Sequence, residues 1–78
     1  MSLEQKIKNE IAEILGIRPE KVFDDARFIE DLGANSLDKT EFIIALEANY
    51  NIRISGEQAN NIIRVRDAIK FVSDRLAK

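Results

Sequence analysis

Three stretches of this chain carry apolar residues at three- and four-residue steps, and that spacing commits most of it to helix. In the first, Leu3, Ile7, Ile11, Ile14 and Leu15 share one face. Ser2 is its predicted N-cap, with Gln5 as capping-box partner, and Gly16 and Pro19 close it. The second runs from about Ser36 to Tyr50. The third runs from about Val65 to Ala77 on a stripe of Val65, Ala68, Ile69, Val72 and Leu76. Lys78 suits the end of that helix, whereas Arg64 is a poor cap for its start. Before it, Ser55-Gly56-Glu57-Gln58 marks a short capped helix ending near Asn61. Ile52 and Ile54 alternate over too few residues for a strand. The expected fold is all-α: a small bundle of three main helices plus one short helix, with residues 1–78 as one domain.

The first loop is long, from about Ile17 to Ala34. Connections of this length usually carry function or some structure of their own. A turn of helix is expected near Arg18 to Val22. Val22, Phe23, Phe28, Ile29 and Leu32 should fold the loop down over the core.

The chain lacks both cysteine and histidine. Disulfides, thiolate metal sites and the commonest general base are therefore excluded. Glu30, Asp31 and Asp38 do not follow a calcium-loop spacing and read as a solvated acidic patch. No apolar run approaches the roughly 20 residues that span a bilayer. The opening MSLEQKIKNE is charged and periodic, unlike a signal peptide, so a cytoplasmic protein is expected. Acidity is concentrated between Phe28 and Tyr50, where Glu30, Asp31, Asp38, Glu41 and Glu47 face one base, Lys39. Such a patch repels nucleic acid and attracts basic protein surfaces. Arg64 and Arg66 alone make no nucleic-acid-binding surface.

On a helical wheel, Phe42, Ile43, Leu46 and Tyr50 form a core face of the second helix. Ser36, Leu37, Thr40, Glu41, Ile44, Glu47 and Ala48 form another. Leu37 and Ile44 should be at least partly exposed among Asp38, Glu41 and Glu47. Two readings stand for them: ordinary apolar residues, exposed or tucked under the long loop, or the anchors of a docking surface with an acidic rim.

Ser36 stands at the head of this helix. Asn35 and Ser36 are both favoured N-cap types. If Asn35 caps, Asp38 stands at the capping-box position and the Ser36 hydroxyl is free. A phosphodiester there would lie at the positive end of the helix. A serine at a helix start is, by itself, usually only a cap.

The stretch FIEDLGANSLDKTEFIIALEANYNIRI strongly resembles the acyl carrier proteins of fatty acid and related biosynthesis. The lead-in F-x-E-D-L-G-A, the serine-leucine pair, the A-L-E segment and the aromatic-x-I-x-I exit carry the match. The layout of the helices extends it over nearly the whole chain. The resemblance implies an acyl-carrier bundle in which Ser36 bears a 4′-phosphopantetheine arm, added by a phosphopantetheinyl transferase. The arm holds acyl groups as thioesters, which accounts for a chain without reactive groups of its own. It further implies a monomer that presents acyl chains to biosynthetic enzymes with basic docking surfaces. Leu37, Asp38, Thr40, Glu41, Ile44 and Glu47 would be the contacts. Phe28, Leu46, Ile54, Ile62 and Ile69 would line an acyl cavity.

This sequence departs from the family pattern at several points. Asn35 stands where the family usually has aspartate, Thr40 replaces an aliphatic residue, and Lys39 brings a positive charge. Ala48 stands where an acid is frequent, and the short helix opens without the usual acids. These changes point toward a specialised carrier with dedicated partners. Two alternatives are a carrier for another pathway, polyketide or amino-acyl, and an interaction module that leaves its serine unmodified. A serine hydrolase is excluded by the absence of histidine and of a G-x-S-x-G turn.

Overall fold

The computed structural model describes residues 2–77. The helices are α1 (Leu3–Leu15), α2 (Ser36–Tyr50), α3 (Gly56–Asn61) and α4 (Val65–Leu76), with a 3-10 turn at Pro19–Lys21. No strand occurs among the described residues, only an isolated antiparallel bridge between Arg27 and Arg64. Lys78, expected to favour the end of α4, lies outside the described residues.

The caps explain the boundaries. The Ser2 side chain accepts the Gln5 N–H, while the Gln5 amide itself donates to Asn9. Gly16 closes α1 at φ 68°, and its N–H and that of Ile17 reach back into the last turn. Ser55 and Gln58 form the reciprocal box expected for α3. Asn51 ends α2 at φ 53°, a left-handed conformation asparagine tolerates better than most residues.

α4 starts without a side-chain cap from Arg64, as expected. What replaces it comes from elsewhere in the chain. The Asp67 carboxylate accepts the N–H groups of Ile63 and Arg64. The loop carbonyls of Ala26 and Asp24 accept those of Val65 and Arg66, at 3.0 and 2.8 Å. The Arg64 guanidinium in turn donates to the Asp25 carbonyl.

α1, α2 and α4 pack on one another. Their core includes Ile7, Ile11, Phe42, Leu46, Val65, Ala68 and Val72. Val22, Ala26, Phe28 and Ala34 pin the long loop into that core, with the Phe28 and Phe42 rings 5.2 Å apart. The loop therefore packs down as its composition suggests, with a correction. Phe23 and Ile29 point outward and are exposed. α3 buries none of its residues fully and is anchored by Ile54 and Ile62 at its two ends.

Candidate functional site

Asn35 is the N-cap of α2, and Asp38 completes a reciprocal box with it. The Asp38 N–H donates to Asn35 Oδ1 and the Asn35 N–H donates to Asp38 Oδ2. Ser36 thus occupies N1, where its side chain has no capping duty. It is exposed, and its hydroxyl has no hydrogen-bond partner among the described residues.

Beside Ser36 lies a cleft of about 380 Å³ between α2 and α3. Its α2 wall is Ser36, Lys39, Thr40, Ile43 and Ile44, and its far wall is Ile54, Ser55, Gly56, Ala59 and Asn60. That volume suits a small ligand or part of an elongated one. Of the residues expected around an acyl chain, only Ile54 borders this cleft. Phe28, Leu46 and Ile62 are buried in the core, and Ile69 packs half-buried against it. All five belong to, or pack against, the one hydrophobic core.

The docking residues fall into two groups. Leu37 is 66 % and Ile44 57 % exposed, so neither is covered by the long loop. Glu41 is exposed beside them. The others are already engaged in the fold. Asp38 caps α2. Thr40 donates its hydroxyl to the Ser36 carbonyl, at 3.0 Å. Glu47 is half-buried and accepts the Ile54 N–H, tying α2 to the start of α3.

The acidic rim is thinner than the sequence suggests. Arg27 lies just outside the acid-rich stretch and folds back over it, meeting Asp31 at 3.1 Å and Glu30 at 3.3 Å. The Arg27 side chain and backbone N–H hold the Asp31 carboxyl below its ordinary range. Pairing between residues three and four apart in an irregular loop leaves no periodic signal.

The two faces read from the wheel leave Lys39 unplaced. On the wheel it falls at about 300 degrees from Ser36, amid the core positions. It is half-buried and lines the cleft, rather than standing on the docking face. The wheel angle was the available signal.

Residues 5–72 match the family model described as a phosphopantetheine attachment site. The chain is 45 % identical over 75 residues to an acyl carrier protein of Nitratidesulfovibrio vulgaris strain DP4, covering 96 % of this chain and 99 % of that one. It is 47 % identical over 77 residues to an acyl carrier protein of Buchnera aphidicola subsp. Acyrthosiphon pisum strain 5A, covering 99 % and 96 %. Against an acyl carrier protein of Solidesulfovibrio magneticus the figure is 44 % over 75 residues, with 96 % of each covered.

Proposed function

The chain belongs to the acyl carrier proteins, and on that premise we propose that Ser36 is the residue that bears its 4′-phosphopantetheine arm. As a member it carries acyl intermediates between acyl-transfer enzymes and is not itself an enzyme, fatty acid synthesis being the usual setting of the family. When bound, the arm supplies the thiol on which acyl groups are held as thioesters.

The observation that carries the assignment is the division of labour at the head of α2. Asn35 takes the cap, so the Ser36 hydroxyl is exposed, unpartnered among the described residues, and placed beside a cleft. On modification Ser36 Oγ forms a bond to phosphorus as the donor's P–O bond breaks; the remainder of the donor leaves with that electron pair, and the serine proton passes to it through the transferase. A phosphopantetheinyl transferase, a separate protein, supplies the catalytic groups that this chain lacks. Leu37, Ile44 and Glu41 are the contacts that transferase and acyl-transfer enzymes meet first. Asp38, Thr40 and Glu47 hold the α2 surface in shape behind them.

An acyl chain enters between α2 and α3, past Ile54, and reaches Leu46 and Ile62 only if α3 moves outward. The protein is one carrier domain, acts as a monomer and works in the cytoplasm. Among the described residues no helix is long and apolar enough to cross a membrane.

The test is intact-mass spectrometry after incubation with a phosphopantetheinyl transferase and its phosphopantetheine donor. The expected result is one added phosphopantetheinyl group, absent in Ser36→Ala. A chain that gains no mass with several transferases is an interaction module on the carrier fold. Full modification of Ser36→Ala would place the attachment elsewhere.

A further inference from the structure

Resting on the assignment of Ser36, we propose that Lys39 is a positioning residue for the arm. Its ammonium holds the phosphodiester on Ser36 at the mouth of the α2–α3 cleft, at the edge beside the long loop.

Lys39 is the one charged residue among those lining this cleft. Its side chain makes no hydrogen bond or ion pair among the described residues, and only its backbone N–H is used, by the Asn35 carbonyl. The nearby acids are engaged elsewhere. The Asp38 carboxylate accepts the Asn35 N–H, and Glu30 pairs with Arg27. Glu41 lies on another face, about 160 degrees round the helix from Lys39. A half-buried cation with no anion of its own is therefore available beside the attachment hydroxyl.

Spacing makes the contact possible. Side chains three residues apart on a helix are neighbours, about 5–6 Å between Cβ atoms. Lysine adds a flexible stem and three donors, and a phosphodiester offers one negative charge with free oxygens. Partial burial in the cleft strengthens the pair beyond what open water allows. Ser55, Gly56, Ala59 and Asn60 opposite are uncharged and present no competing anion. The functional consequence is directional. Lys39 lines the cleft on the side where the long loop brings Ile29 and Glu30, and Ile44, about 140 degrees round α2 from it, lines the other side. Drawing the phosphate toward Lys39 holds the base of the arm at the loop side of the cleft, away from Ile44.

The experiment is phosphorus NMR of the full-length modified protein, with mass spectrometry confirming the added group. In Lys39→Met the phosphodiester resonance should move by more than its line width, and in Lys39→Arg it should stay near the wild-type position. In unsubstituted protein with labelled lysines, the Lys39 Cε resonance should move on modification more than those of Lys6, Lys8, Lys21 and Lys70. That second measurement stands even if Lys39→Met disturbs folding. Coincident phosphorus lines in wild type and Lys39→Met, with no preferential shift at Lys39, overturn the proposal while leaving Ser36 as the attachment site. If no phosphopantetheinyl mass is gained, both readings fall together.

Discussion

Asn35 and Asp38 hold each other by two hydrogen bonds, 2.8 Å from the Asp38 N–H to Asn35 Oδ1 and 3.1 Å from the Asn35 N–H to Asp38 Oδ2. The pair satisfies two backbone donors at the start of α2 and frees the serine between them. Asn35→Ala should lower unfolding free energy by about 1 kcal/mol, the usual effect of losing an N-cap. Asn35→Asp keeps a good cap and should stay within about 0.5 kcal/mol of the parent. Urea unfolding followed by circular dichroism decides the matter. Equal stability of Asn35→Ala and wild type would show that the box is not holding the helix.

The two faces of α2 should respond differently to truncation. Leu46→Ala removes a fully buried side chain and should destabilise by about 2–5 kcal/mol. Ile44→Ala and Leu37→Ala remove exposed side chains and should change stability by about 0.5 kcal/mol or less. Their effect should appear as weaker binding to the transferase, measured by calorimetry. Unchanged binding in the double variant would remove these residues from the docking surface.

Tyr50 donates its hydroxyl to Glu10 at 3.0 Å, and burial with that carboxylate pushes the phenol from 10.0 up to about 12. A folded pKa above the unfolded one gives a contribution to stability that is intact below pH 10. It declines from there to about 12, as the unfolded chain ionises first. Because Tyr50 is the only tyrosine and tryptophan is absent, phenolate absorbance reports it directly. The native midpoint should lie well above that in urea, and Glu10→Gln should lower it. A native midpoint at the unfolded value would refute the arrangement.

At low pH the sign reverses. The Lys8 ammonium, bonded to Asp24, holds that carboxyl below its ordinary 3.8, and Lys8 itself is raised chiefly by Asp24. A depressed carboxyl contributes stability that is present above 3.8 and is lost as pH falls through its folded value. Melting temperatures should therefore fall less steeply below about pH 4 in Asp24→Asn than in wild type. Both side chains reach solvent, so added salt should shrink the difference.

α3 should be the least protected helix. It buries no residue fully, whereas α1, α2 and α4 each bury three. Amide hydrogen exchange should be faster in Glu57–Asn61 than in the middle of α2 or α4. Comparable protection would mean that the cleft's far wall is rigid.

Local chemistry made much of the fold legible in the sequence. The stripe from Leu3 to Leu15, the closure at Gly16, the Ser55–Gln58 box and the extent of α2 all depend on residues within a turn of one another. The open alternative at Asn35 and Ser36 resolved to the one that frees the hydroxyl. Other features depended on partners distant in sequence. Nothing near Glu47 indicates that it bonds the Ile54 N–H, and nothing near Phe23 indicates that it stays outside while Val22 is buried. Arg27 altered the acidic patch because its loop doubles back on itself. The angular position of Lys39 among the core residues was the guide to its place in the cleft wall.

The start of α4 sets an order on folding. Its first free N–H groups are taken by the carbonyls of Asp24 and Ala26, some forty positions earlier in the chain. A peptide of residues 62–77 has Asp67 but not those acceptors, so on its own it should nucleate helix poorly. The long loop must be seated before α4 gains its full hydrogen bonding.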